Sequence, residues 1–257
     1  MAIEVAKLRN VGFVGHGGVG KTSLVEAILF SAGAMTRLGR VDDGTTTTDF
    51  DPDEVKRKIS LNTAVAYCDW KGYRLNLVDT PGFGDFISDA RAGLRVVEGA
   101  VVVVDAVAGV QVQTEKVWKF ADEYALPRLV MVNRMDRERA DFFRTIESLG
   151  KRLKGRLVPL QLPVGAEAGF KGVVDLVKMK AIVYEDGKPR ETEIPGDLSN
   201  QAREYREKLI EAAAETDDEL LAKYLEEGTI GEAEMLGALR KGIAAGKVIP
   251  VLAGAAV

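Results

Sequence analysis

The sequence contains few of the residues that cross-link a chain or bind a metal through sulfur and nitrogen. Among its 257 residues there is one cysteine, Cys68, and one histidine, His16. A single thiol forms no intrachain disulfide, which excludes a disulfide-stabilised secreted scaffold. A single imidazole excludes a histidine-rich metal centre and any mechanism that requires two histidines.

Long apolar runs are also missing. The longest spans only residues 100–104, far short of the ~20 apolar residues that cross a bilayer, and residues 1–10 have no apolar core of a secretory signal. The formal net charge of −4 argues against a general electrostatic attraction to DNA or to an anionic membrane. We therefore expect a cytoplasmic globular protein with no membrane and no DNA among its partners.

Alternating strand-like and helix-like segments predict an α/β fold. Residues 8–14 are typical of a buried strand, and residues 21–32 have helical spacing. The later elements continue the alternation, with strands at 100–107, 128–132 and 248–252 and helices at 113–124 and 139–149. Two runs, 64–70 and 73–79, flank a Lys-Gly turn and predict a hairpin at an antiparallel edge. This order is typical of a doubly wound, mostly parallel sheet.

Two regions interrupt the alternation. Residues 38–60 are polar and aperiodic, with four consecutive threonines, as in a functional or mobile loop. Strand-like segments and a charged helical region at 199–227 indicate an α+β insert. We predict a principal domain over 1–157, the insert over 158–247, and the last strand of the principal domain over 248–257. Because a doubly wound sheet normally has a helix after that strand, we interpret the chain as the N-terminal part of a longer protein.

The first motif lies between the first strand and the first helix and fits G-x-x-x-x-G-K-[ST], so we predict that the doubly wound sheet is that of a P-loop NTPase. Its predicted phosphate-binding residues are Gly15, His16, Gly17, Gly18, Val19, Gly20, Lys21, Thr22 and Ser23. The glycines let the backbone curl around an anion, and the helix N-terminus adds partial positive charge. Lys21 is placed to reach the β- and γ-phosphates, Thr22 to bind Mg²⁺ and Ser23 to reach the α-phosphate. For His16, a packing role is favoured over that of a catalytic base.

Two further motifs follow strands. The segment Asp79-Thr80-Pro81-Gly82 places an acid that can hold Mg²⁺ through water and a Gly82 N–H that can approach a γ-phosphate, although the tetrapeptide is also ordinary turn chemistry. In Asn133-Arg134-Met135-Asp136, the Asp136 carboxylate can accept hydrogen bonds from guanine N1–H and its 2-amino group, which adenine lacks. Asn133 would brace the base-binding loop. Capping of the next helix is the alternative for both residues.

With these motifs in this order, the sequence resembles the translational GTPases and, among them, the elongation factor G family. The segment 105–111 with Trp118 is similar to the family's G domain, and segments between 160 and 228 are similar to its insert subdomain. The resemblance implies hydrolysis of GTP to GDP and phosphate with Mg²⁺, and a ribosomal partner (RNA and proteins) for a monomeric full-length protein. It also implies that Ser60 joins Thr22 and Asp79 at the metal, and that the guanine contacts are Asp136, Arg134, Gly254, Ala255 and Ala256.

Several positions depart from the family pattern. Arg134 stands where the family has lysine, Ser60 where it has threonine, and Gly18 where it has aspartate. At Phe83 the family has a histidine that positions the attacking water. A phenyl ring can neither orient water nor accept its proton, and the loss of such a group costs ~10²–10⁴ in rate.

The resemblance therefore implies a catalytic set of Lys21, Gly82 and Phe83 with slow hydrolysis, in a divergent paralogue of elongation factor G. Two other functions remain open at this point. One is a module that signals by GTP occupancy with negligible turnover, because of Phe83. The other is an ATP-dependent kinase or ATPase built on the same phosphate loop.

Overall fold

The computed structural model describes residues 4–185 and 187–256. The strands are β1 (Leu8–Gly15), β2 (Ala64–Trp70), β3 (Tyr73–Asp79), β4 (Gly99–Asp105), β5 (Arg128–Asn133), β6 (Leu157–Pro159), β7 (Gln161–Val164), β8 (Gly172–Asp175), β9 (Lys180–Glu185), β10 (Lys188–Thr192) and β11 (Ile249–Ala253). The α-helices are α1 (Lys21–Ser31), α2 (Pro52–Arg57), α3 (Ile87–Leu94), α4 (Val112–Glu123), α5 (Phe142–Arg152), α6 (Ser199–Ala214), α7 (Asp218–Glu227) and α8 (Glu232–Ala244).

Seven strands form the principal sheet in the order β2-β3-β1-β4-β5-β11-β6. Every neighbouring pair is parallel except β2 and β3, which form an antiparallel hairpin with Trp70 opposite Tyr73. The valines of β4 are buried, as expected for a parallel strand that is covered on both faces. The predicted fold class, a doubly wound and mostly parallel sheet with an antiparallel edge, is confirmed.

The second sheet is antiparallel, in the order β10-β9-β8-β7, and it accompanies α6, α7 and α8. Buried side chains of this region, including Leu162, Val174 and Leu209, belong to the same apolar cluster as Val102 and Val130 of the principal sheet. Strand β6 pairs with β11 at the edge of the principal sheet. The boundary at residues 157 and 158 that we predicted from the sequence therefore falls within a strand of the principal sheet, and the division into domains stays a prediction.

Local capping explains where several elements differ from the sequence-based ranges. Helix α5 begins at Phe142 because the Asp141 carboxylate accepts a hydrogen bond from the Arg144 N–H. The helical region 199–227 is two helices, since Asp217 caps α7 in the same way. Sequence analysis predicted no helix in the segment 38–60, yet α2 forms there through a capping box of Asp51 and Glu54. Within the described residues, no helix is both long and apolar enough to span a bilayer.

Candidate functional site: a phosphate loop and a base-binding loop

The predicted motifs meet at one edge of the principal sheet. They follow the carboxyl ends of β1, β3, β5 and β11, which is where ligands bind in open α/β sheets. A polar cavity of about 230 Å³ lies there. The predicted residues that line it are Gly17, Gly18, Gly20, Lys21, Thr22, Ser23, Ser60, Gly82, Phe83, Arg134, Asp136 and Ala256.

The phosphate loop has the curled backbone that its glycines allow. Gly18 has φ +78° and Gly20 has φ +92°, values in the left-handed region that favour glycine. The Lys21 ammonium donates to the carbonyls of Gly15 and His16, at 3.3 and 3.0 Å. These two hydrogen bonds hold the Lys21 ammonium against the curled backbone of the phosphate loop, where Lys21 lines the cavity.

The Lys21 ammonium is buried, and burial lowers its pKa to about 8. Within residues 4–185 and 187–256 it forms no ion pair shorter than 4.0 Å with a carboxylate. Because the charges of Asp79 and Asp49 offset the burial of this cation only in part, its position favours an anion in the cavity. A phosphate group would supply it.

His16 lies outside the cavity lining. Its Nδ1 is buried and has no hydrogen-bond partner among the described residues. Burial, and next the positive charge of Lys21, lower the pKa of His16, which favours the neutral ring. This environment is in keeping with the packing role predicted for it.

Three residues predicted to bind metal lie together. The Thr22 hydroxyl donates to Asp79 Oδ2 at 2.7 Å and lies 3.1 Å from the Ser60 hydroxyl. The other carboxylate oxygen, Asp79 Oδ1, is buried and has no hydrogen-bond partner within the described part of the chain. Burial raises the pKa of Asp79 to about 6, although the hydrogen bond from Thr22 and the charge of Lys21 oppose this shift, so the charged carboxylate is only partly compensated. Hydroxyl and carboxylate oxygens are ligands that Mg²⁺ prefers, and this cluster fits that ion.

The loop after β3 packs tightly on the phosphate loop. A Cβ placed on Gly82 would lie 2.6 Å from the Gly17 nitrogen, which is closer than side-chain carbons approach backbone. A Cβ on Gly17 would in turn lie 2.8 Å from the Phe83 ring. The Phe83 ring therefore lies directly over the phosphate loop, at the edge of the cavity and 38% exposed.

We expect Gly82→Ala to weaken binding of a non-hydrolysable GTP analogue about tenfold, because the added methyl group would collide with the Lys21 ammonium and with the phosphate-loop backbone at Gly17. Calorimetric titration measures this. Gly237→Ala is the matched control, since a Cβ there meets no atom within 4 Å. An affinity equal to that of the unsubstituted chain would contradict a role for the close approach of Gly82.

At the other end of the cavity, Asn133 connects two loops. Its amide donates to the Val19 carbonyl of the phosphate loop at 2.9 Å and accepts from the Ala256 N–H at 2.9 Å. The Gly254 carbonyl accepts from the Met135 N–H at 3.2 Å. Asn133 is thus placed to brace the loop that follows β11.

Helix capping, the alternative considered for Asn133 and Asp136, does not occur. Helix α5 is capped by Asp141 instead. Asp136 is half-buried and lines the cavity with Arg134, which has φ +66° and pairs with Asp105 at 3.1 Å. Asp136 therefore does not cap the helix, and it lines the cavity.

Sequence reasoning did not identify two groups that hold the segment 38–60. The buried Glu26 carboxylate of α1 accepts hydrogen bonds from the N–H groups of Gly39 and Thr47, at 3.2 and 3.0 Å. The Thr48 hydroxyl donates to Asp79 Oδ2 at 2.8 Å. One sequence feature could have indicated the first of these groups, since Glu26 is an acidic residue among the apolar residues of α1. The threonine run gave no sign of which member is buried.

Comparisons with known proteins agree with this geometry. The family model of the elongation factor Tu GTP binding domain matches residues 6–257. Elongation factor G of Thermotoga petrophila is 46% identical over 99% of this chain and 37% of its own length, and that of Thermotoga maritima matches to the same extent. A crystal structure of ttk003000868 from Thermus thermophilus aligns with a TM-score of 0.92 and 38% identity, over 98% of this chain and 38% of that chain. The chain thus spans 37% of the length of these curated relatives.

Proposed function

Because the chain belongs to the family of elongation factor Tu GTP-binding domains, we propose that it binds GTP with Mg²⁺ and hydrolyses it to GDP and phosphate, as the G domain of an elongation factor G-like protein. One arrangement of groups carries this proposal. The cavity is lined by the buried Lys21 ammonium, which forms no ion pair with a carboxylate of the described residues, and by the Asp136 carboxylate. Asp79 is hydrogen-bonded to the cavity residue Thr22, and one of its carboxylate oxygens has no hydrogen-bond partner among the described residues. These groups suit the phosphates, the base and the metal of a guanine nucleotide, respectively.

The residues have separate roles in this proposal. Lys21 and the backbone N–H groups of the phosphate loop stabilise negative charge on the β- and γ-phosphates, and the Gly82 N–H approaches the γ-phosphate. Thr22, Ser60 and Asp79 would hold Mg²⁺, which when bound neutralises phosphate charge. Asp136 accepts hydrogen bonds from guanine.

Hydrolysis is slow in this proposal because of Phe83. The ring lies over the phosphate loop, where an attacking water would have to be oriented, and it offers no donor or acceptor. The positioning and electrostatic contributions of Lys21 and the backbone remain. The same observation supports the second candidate, a module that signals by GTP occupancy with negligible turnover. An ATP-dependent reaction is disfavoured, since adenine would leave the Asp136 carboxylate without donors.

For the full-length protein, we extend the proposal to a monomer that acts on the ribosome in the cytoplasm, with residues 158–247 as its insert subdomain. The support for this extension is the likeness to elongation factor G over this chain. The chain itself offers the nucleotide site described above.

Calorimetric titration in magnesium-containing buffer tests nucleotide binding. We expect heat of association with GDP and with GTP and none with ATP. Absence of heat with both guanine nucleotides, for a sample with a cooperative thermal unfolding transition, would refute the proposal. Equal affinity for ATP would refute the assignment of Asp136 to the base.

Phosphate release, measured with and without ribosomes, separates the two candidate functions. A measurable rate that ribosomes increase supports a slow GTPase. Stable retention of GTP in both conditions supports the occupancy module instead.

A further inference from the structure

Thr48 is a buried hydroxyl residue that the motifs did not indicate. It belongs to the run of threonines 45–48, in which positions 46 and 48 are buried and positions 45 and 47 are exposed. The alternation is that of an extended chain, with every second side chain directed inward. Thr48 is 3% exposed, and its hydroxyl donates to Asp79 Oδ2 across 31 positions of sequence.

This hydrogen bond distinguishes the two oxygens of the Asp79 carboxylate. Oδ2 accepts from both Thr48 and Thr22, at 2.8 and 2.7 Å, whereas Oδ1 is buried and accepts no hydrogen bond from the described residues. Two donors on one oxygen fix the rotation of the carboxylate about its Cβ–Cγ bond. The other oxygen is thereby left available for a ligand.

The contact also gives the segment 38–60 a second point of attachment. Ser60, near the end of that segment, lies 3.1 Å from the Thr22 hydroxyl, and Thr48 reaches the same cluster from its middle. Both attachments end on residues that begin α1 or end β3, the rigid elements of the site. Any group that orders this cluster also orders the segment.

We propose that Thr48 is a positioning residue of the Mg²⁺ site: its hydroxyl holds the Asp79 carboxylate in the orientation that serves the metal and ties the segment 38–60 to metal occupancy. The inference rests on the proposed function, since it assumes that Mg²⁺ and a guanine nucleotide bind here. Thr48 contacts the carboxylate and does not line the cavity, so it acts through Asp79.

The test measures release of a fluorescent, non-hydrolysable GTP analogue as the free Mg²⁺ concentration is varied. In Thr48→Val a methyl group replaces the hydroxyl at nearly constant volume. We expect this variant to need about tenfold more Mg²⁺ for half-maximal retention, the effect of losing one hydrogen bond to a carboxylate. Thr48→Ser keeps a hydroxyl and is expected to restore most of the Mg²⁺ response.

Thr46→Val is the matched control. Thr46 is buried in the same run, two residues away, and its hydroxyl has no partner among the described residues. The same substitution there is expected to leave the Mg²⁺ response unchanged. A second readout that does not involve turnover is the affinity for Mn²⁺, measured by electron paramagnetic resonance on the nucleotide complex, which is expected to fall with Thr48→Val only.

Each outcome decides the matter. A Mg²⁺ response of Thr48→Val equal to that of the unsubstituted chain overturns the inference, and so does an equal shift in Thr48→Val and Thr46→Val, which would indicate general loosening of the segment. If Thr48→Val melts at a lower temperature, the response of Thr48→Ser decides instead: recovery supports the inference, and no recovery overturns it. If the unsubstituted chain retains nucleotide without any dependence on Mg²⁺, the proposed function itself fails.

Discussion

Asp136→Asn is expected to change the preferred base from guanine to xanthine. On the proposed assignment, the carboxylate would accept two hydrogen bonds from guanine, whereas an asparagine amide would donate where xanthine has an oxygen in place of the 2-amino group. The hydrogen bond from the 2-amino group would be lost, and because one hydrogen bond to a charged group contributes about 1.5–3 kcal/mol, GDP affinity should fall roughly 10–10²-fold. Xanthosine diphosphate should gain affinity over the unsubstituted chain.

The structure indicates that Asp136→Asn would change the base preference without unfolding the loop, because the substitution is isosteric and other residues hold the loop in place. Met135 is buried and its N–H donates to the Gly254 carbonyl, so the backbone next to position 136 is fixed without help from the carboxylate. Competition titrations with GDP, xanthosine diphosphate and ADP measure the preference. Asp141→Asn makes the same change at the cap of α5, where asparagine also caps well, and it should alter nothing. Unchanged guanine selectivity in Asp136→Asn would reject the base-binding role.

Phe83→His is expected to raise the rate of ribosome-stimulated GTP hydrolysis about 10²-fold, the contribution typical of a group that orients water or accepts its proton. The Phe83 ring lies over the Gly17 backbone at the edge of the cavity. A histidine side chain at position 83 would therefore lie beside the phosphate loop, where the proposal places the attacking water. The nucleotide affinity should change little, since Lys21 and the phosphate loop are untouched.

Single-turnover phosphate release with ribosomes measures the effect of Phe83→His, and calorimetry checks that GDP and GTP still bind. Phe30→His is the control, because Phe30 lies on α1 outside the cavity lining and is 44% exposed. A rate unchanged by Phe83→His would show that another group positions the water. It would also remove the reason given above for slow turnover.

The glycine motif and the hairpin were readable from the sequence because short-range chemistry fixes them. Left-handed backbone at Gly18 and Gly20 follows from the absence of a Cβ, and the strands at 64–70 and 73–79 have the predicted bounds. Other elements were not readable. Helix α8 was not predicted. The region 199–227 was not divided, because the start of α7 depends on one capping contact, from the Leu220 N–H to the Asp217 carboxylate.

The position of the candidate site at one edge of the sheet was also implied by the sequence. Lys21, Asp79 and Asn133 each follow or end an apolar strand, and the carboxyl ends of parallel strands share one edge. The sequence predicted that Asn133 would brace the base-binding loop. It did not predict the two partners of Asn133, Val19 and Ala256, which lie more than a hundred positions away in sequence.

By itself, the sequence determined that this protein has a doubly wound sheet with a phosphate loop, and it determined which residues stand at the strand ends, since periodicity and local backbone preference act over a few residues. Only the tertiary structure decided which groups of the aperiodic segment 38–60 reach the site. Its path is set by distant polar contacts, from Glu26 to Gly39 and Thr47 and from Asp79 to Thr48, and no periodic pattern encodes such contacts. The tertiary structure also decided that burial would lower the pKa of Lys21 and raise that of Asp79, because desolvation depends on the whole fold around them.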